Sequence, residues 1–145
     1  VDAWTGLYPP MATSQVHAGS RLLYRNKDFN SYGVVSVTEK FAAAHPQTIT
    51  KVLGAYEKAR DWAVKHPDEF AKLLADESGL PLDVAKLQLS RTDLSTPLLS
   101  SKDVQSSKAA APILVSEELV RRGVNVDQVI DQLIDTSFGQ NLPKP

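Results

Sequence analysis

Val1-Asp2-Ala3-Trp4-Thr5-Gly6-Leu7-Tyr8-Pro9-Pro10 is the stretch on which the reading of this chain turns. Val1 and Ala3 alternate with Asp2, and apolar–polar alternation of this kind reads as the end of a β-strand. Tyr8-Pro9-Pro10 reads as a loop turning into a helix, because the fixed φ of proline suits a first helical turn. A strand ending in Trp4, a small-residue turn and a helix start would place aromatic faces and unpaired helix N–H groups at one edge. That is a common way to build a ligand-facing site. Equally, Trp4 and Tyr8 read as large core residues beside a turn, since both residue types are usually well buried.

Working outward, Met11 to Val16 is a short helix closed by Gly19, a residue suited to the left-handed helix end. Arg21-Leu22-Leu23-Tyr24-Arg25 is a strand candidate, and Asn26 to Ser31 is a polar, turn-rich loop. Tyr32-Gly33-Val34-Val35-Ser36-Val37 has the β-branched density of another strand. Thr38 is a candidate N-cap for a helix over Glu39 to Ala44, ended by His45-Pro46.

From Pro46 onward the pattern is helical. Gln47 to Lys65 carries Ile49, Val52, Leu53, Tyr56, Ala59 and Ala63 as one apolar stripe. Pro67-Asp68-Glu69 opens a helix with acids at its positive end, buries Phe70, Leu73 and Leu74, and stops at Ser78-Gly79. Leu80-Pro81-Leu82-Asp83 opens a further helix running to about Leu89, and residues 91–99 are irregular. Ser101 to Arg122 is periodic, with Pro112 kinking or splitting it and Gly123 capping it. Asp127 to Asp135 forms a last short helix, and the tail from Phe138 reads as frayed. The expected fold class is therefore α/β, an α/β head followed by a mostly helical body.

The chain has 145 residues, 42% of them hydrophobic and 23% charged, and a formal net charge of −1. It is sized for one domain with a real core. The charge balance supplies no basic footprint, so nucleic acid is not an expected partner. With no cysteine, a disulfide framework, a Cys-ligated metal and a thiol nucleophile are excluded. No apolar run approaches membrane-spanning length, and no signal peptide is evident. The chain opens on Val1 inside an apparent strand, and on that ground reads as part of something larger.

Catalytic signatures are absent from the sequence. His17, His45 and His66 show no i, i+4 ligand spacing, and His45 and His66 each precede a proline at a helix boundary. There is no nucleophile elbow, phosphate-binding glycine loop or dinucleotide fingerprint. Asp68, Glu69, Glu117, Glu118 and the pair Arg121-Arg122 sit at helix ends or solvent faces, where pairing with the helix dipole accounts for them. An enzyme is not expected, and neither is a cofactor or a metal.

Several motifs in order resemble the periplasmic solute-binding proteins of ABC transporters for sulfonates, taurine and nitrate. Val1-Asp2-Ala3-Trp4 with Tyr8-Pro9-Pro10 is similar to the family's "VDAW…P" element, and Gly19-Ser20-Arg21-Leu22-Leu23 to its "GARVL" strand. Val34 to Pro46 resembles the family's strand followed by the helix that ends in "nP", here Val37 to Pro46. Ala59-Arg60-Asp61-Trp62-Ala63 through His66-Pro67-Asp68-Glu69, then Ser78-Gly79-Leu80, resembles the following connection. Glu118-Leu119 to Gly123 resembles a late helix end. The likeness spans nearly the whole chain and corresponds to the C-terminal half of a family about twice as long.

The resemblance implies a type II periplasmic-binding-protein fold, two α/β lobes closing over a small solute. Residues 1–33 would end lobe two and cross the hinge near Asn30 to Val34. Residues 34–145 would return to lobe one and supply its packing helices. The implied partners are a small organic anion, an ABC permease in the inner membrane and a missing N-terminal lobe. The implied location is periplasmic or extracytoplasmic, associated with the membrane through the transporter. Trp4 and Tyr8 would meet the organic part of the solute, and Asn30, Ser31 and Tyr32 would make polar contacts near the hinge. Asp2 would accept from an amine such as that of taurine or, the favoured reading, cap a turn. Thr5-Gly6-Leu7 lacks the second aromatic of many sulfonate binders, whereas the Pro9-Pro10 pair matches taurine-type relatives and tilts the reading toward sulfonates. The alternatives on the same fold are an enzyme of the thiamine-pyrimidine-synthase type and an effector-binding domain of a transcription regulator.

Overall fold

The computed structural model describes residues 1–26, 33–95, 98–140 and 142. Among them lie eight helices: α1 (Pro10–Ala18), α2 (Glu39–Ala44), α3 (Pro46–Lys65), α4 (Pro67–Ser78), α5 (Leu82–Leu89), α6 (Ser101–Ser116), α7 (Val126–Leu133) and α8 (Ser137–Gln140). The chain divides into two compact units. Unit 1 comprises Val1–Ser36 with Arg60–Leu94, and unit 2 comprises Val37–Ala59 with Ser95–Pro145.

The α/β head is not what the structure shows, because no strand is present among the described residues. The described parts of all three expected strands, residues 1–4, 21–25 and 33–37, lack regular secondary structure. None of these residues makes a backbone–backbone hydrogen bond among the described residues. A strand exists only as a rung of a ladder, and an apolar alternation without a neighbouring strand has nothing to pair with. Leu23, Tyr24 and Val34 are correspondingly more than half exposed.

In unit 1, α5 packs against both α1 and α4. The buried residues on these helices are small: Ala12 on α1, Ala71 and Ala75 on α4, Val84 and Ala85 on α5. The side expected to be buried on α4 is shifted, since Leu73 is 47% exposed while Ala71 and Ala75 are inside. Small side chains let helix backbones approach closely, so these helices meet through alanines rather than through the larger neighbours. The ends follow local chemistry. Gly19 and Gly79 adopt φ of 66° and 68°, the left-handed conformation that glycine takes without a Cβ penalty. Pro67 and the acids Asp68 and Glu69 open α4. Exposed ion pairs His17–Asp83 (3.7 Å) and Lys86–Asp68 (2.9 Å) link neighbouring helices and add little to stability.

In unit 2, Thr38 caps α2 as expected, its Oγ1 accepting from Phe41 N at 3.2 Å. Helix α6 packs against α7, with Ala111 and Ile130 buried. Only part of the long apolar stripe on α3 is inside: Ile49 and, in the stretch of α3 that belongs to unit 1, Ala63 are buried, whereas Val52 and Tyr56 are exposed. Helix α6 passes Pro112 and stops at Ser116, well short of Arg122. Leu119 N donates to Leu114 O at 3.0 Å and Glu118 N to Val115 O at 3.2 Å, which is a Schellman ending. Glu118 sits at its left-handed position with φ 54°. Gly123, read as the cap, belongs to the following turn with φ 84°. Asn125, not recognised from the sequence, caps α7 by accepting from Gln128 N at 3.1 Å. Of the tail expected to fray, residues 138–140 belong to the short α8, and residues 141 and 143–145 lie outside the described residues.

Two predictions follow from these helix ends. A non-glycine residue in the left-handed region costs about 1 kcal/mol, and the exposed Glu118–Arg122 pair at 3.1 Å offsets little of it. Glu118→Gly should therefore raise stability by roughly 1 kcal/mol in urea unfolding. At the other end of α6, Asp103 Oδ2 accepts from the Ser100 hydroxyl at 2.8 Å and the Ser100 N–H at 2.7 Å. The Ser100 side-chain bond is the main cause holding the Asp103 carboxyl below its usual value, while burial opposes it. A depressed carboxylate stabilises the fold above the ordinary value of about 3.9, and loses that effect as pH falls through its folded pKa. Circular dichroism should show that Asp103→Asn removes part of the acid dependence of helicity below about pH 4.

Candidate functional site

The opening loop folds on itself before α1. A Cβ built on Gly6 would overlap Cζ3, Cη2 and Cε3 of the Trp4 indole, so the ring lies directly on the Gly6 backbone. Only glycine leaves that space. The residue as a whole is 48% exposed. Met11 N then donates to Leu7 O and Thr13 N to Pro9 O, both at 3.1 Å, starting the helix at the proline pair.

Tyr8 is half-buried and is met by a residue far along the chain. Arg91 Nη1 donates to Tyr8 Oη at 2.9 Å and to Gln15 Oε1 at 2.6 Å. The guanidinium carbon lies 5.9 Å from the centre of the Tyr8 ring, within cation–π range. Arg25 Nη2 donates to the Arg91 carbonyl at 2.9 Å. Arg91 falls just beyond the end of α5, where its own N–H bonds to Gln88 O at 3.1 Å. The packing of α5 on α1 thus brings Arg91 to Tyr8 and Gln15.

The expected site residues fall into three groups. Trp4 and Tyr8 lie on the opening loop, but different partners hold them, Gly6 for one and Arg91 for the other. Asp2 is exposed, and among the described residues no hydrogen bond forms the turn cap favoured for it. Asn30, Ser31 and Tyr32 lie outside the described residues. Gln15 and Arg91 were not singled out by sequence reasoning. Arg91 follows α5 in a segment read only as irregular, and no spacing rule links it to a tyrosine 83 positions away.

Two of the three histidines are held by local contacts, His45 lying against Phe41 with ring centres 4.9 Å apart and His66 Nδ1 standing 3.0 Å from Glu69 Oε1, while His17 meets Asp83 on α5. Among the described residues no group of three His, Asp or Glu side chains could hold a metal. No helix among them is long and apolar enough to cross a membrane. Within unit 2, Ser101, Val104, Lys108, Asp131, Ile134 and Thr136 line an open groove. Its cation is already paired, with Lys108 Nζ 2.6 Å from Asp131 Oδ1.

Comparison with known proteins agrees with the motif-level resemblance. Over 133 residues, 90% of this chain, the sequence is 26% identical to the "Putative aliphatic sulfonates-binding protein" of Bacillus subtilis (strain 168). The chain is thus similar to a protein named for binding aliphatic sulfonates. The aligned part spans 40% of that relative's length. No protein-family model matches the chain, and no solved structure matches it.

The Trp4–Gly6 contact can be tested by fluorescence. Gly6→Ala in a Trp62→Phe background should push the indole off the loop and shift Trp4 emission to the red. An unshifted spectrum would mean that the ring does not rest on Gly6 in solution.

Proposed function

We propose that this chain is part of the extracytoplasmic solute-binding component of an ABC importer. It captures a small organic anion, an aliphatic sulfonate or taurine, and delivers it to the permease. The observation that carries this reading is the alignment over nine-tenths of the chain to a protein named for binding aliphatic sulfonates. Two local features support it. The exposed indole of Trp4 offers an apolar surface to a short alkyl chain, and a guanidinium stands at Tyr8, where an anion would be drawn.

In this reading residues 1–33 end the second lobe and cross the hinge, and residues 34–145 return to the first. Asn30, Ser31 and Tyr32 add polar contacts at the hinge, and Asp2 stands where an amine such as that of taurine could be met. Solute affinity draws on both lobes, so it belongs to the full-length protein.

Isothermal titration of the full-length protein with ethanesulfonate, taurine and nitrate tests the proposal. Ethanesulfonate or taurine should bind, and should not be displaced by equimolar nitrate. Trp4→Ala should weaken ethanesulfonate binding by about threefold to tenfold, the loss of one aromatic contact. A protein that takes up neither sulfonate would overturn the reading.

A further inference from the structure

We propose that Tyr8, Gln15 and Arg91 together hold the oxyanion head group of the solute, with Arg91 as its counter-charge. The proposal rests on the solute-binding reading above and adds to it which residues meet the charge. A guanidinium has five N–H donors and no acceptor. The bonds to Tyr8 Oη and Gln15 Oε1 both leave from Nη1, which uses the two hydrogens of that nitrogen. The Nε and Nη2 edge, the fork that grips carboxylate and sulfonate-like groups with two parallel bonds, is not engaged by either bond.

The two acceptors are changed by the same contact. Tyr8 Oη receives a hydrogen from Arg91, which leaves its own O–H to donate elsewhere. Gln15 receives at Oε1, which leaves its amide N–H groups as donors. Three side chains from three separate parts of unit 1 are thereby set as donors around one positive charge. Among the described residues no carboxylate pairs with Arg91. Arg25, bound to the Arg91 carbonyl at 2.9 Å, brings a second guanidinium to the same residue.

A half-buried cation held only by neutral acceptors favours an anion more strongly than a solvated one does. An anion with several acceptor oxygens suits a set of donors, whereas a cationic or purely apolar solute finds no complementary group. Tyr8 accordingly acts through its hydroxyl rather than through its ring alone.

The test uses the full-length protein and ethanesulfonate as the probe. Arg91→Gln should weaken binding by about tenfold to a hundredfold, the usual effect of losing a charge-assisted bond. Arg91→Lys, which keeps the charge but not the fork, should recover part of that loss. Thermal melts of the same variants report any loss of fold. In the unmutated protein labelled with ¹⁵N-arginine, the Arg91 Nε–H resonance, assigned by its disappearance in Arg91→Lys, should shift as ethanesulfonate saturates the site. That readout would not move if Arg91 only clamped α5 to the opening loop. Unchanged affinity in a folded Arg91→Gln protein, or an unmoved resonance, overturns the proposal while leaving sulfonate binding intact. Failure of the unmutated protein to bind ethanesulfonate or taurine overturns both readings.

Discussion

The placement of α5 against α1 and α4 is the contact on which unit 1 depends. It is made at alanine-sized positions, with Val84 the largest fully buried side chain. Burial of apolar area contributes about 25 cal/mol per Å², so alanines yield little each, and close backbone approach has to supply the rest through dispersion. A contact of this kind is sensitive to enlargement, because added methylenes in a well-packed core force side chains and backbone to shift. It also fixes direction. Helix α5 delivers Arg91 from its C-terminal end, and α1 delivers Gln15 with Tyr8 just ahead of it.

The chemistry at Tyr8 therefore follows from helix packing more than from the loop itself. The opening loop supplies its own order only at Trp4, where the absence of a side chain at Gly6 lets an indole lie on the backbone. At Tyr8 the order comes from a guanidinium 83 positions away. The loop is fixed by a local steric allowance at one point and by a long-range polar bond at the other. Its two aromatic rings are held differently, one against the Gly6 backbone and the other through its hydroxyl.

Much of the helical architecture was legible because helix ends are local events. Gly19, Thr38, Pro67 and Gly79 each act within one turn of their own position, and each stands where the sequence places it. Residues whose conformation depends on a neighbour were harder to read. Val34, Val35 and Val37 have strand composition, but composition supplies no ladder partner. Gly123 has the chemistry of a helix cap, yet the Schellman bonds close at Leu114 and Val115, and a glutamate takes the left-handed position. Most of the stripe on α3 has helical period without burial, since period specifies which side chains share a face and not what covers that face. Arg91 and Gln15 carry no sequence signal at all, because the bond joining them exists only once α1 and α5 have packed.

The two units interleave along the chain, and this limits how the protein can be remade by recombination. The boundaries fall after Ser36, after Ala59 and after Leu94, and the middle one lies inside α3, which runs unbroken from Pro46 to Lys65. Neither unit is a contiguous stretch of coding sequence. A chimaera joined to a homologue at any single crossover between residues 37 and 94 would inherit each unit partly from one parent and partly from the other. Exchange of a whole unit would need three crossovers, one of them within a continuous helix.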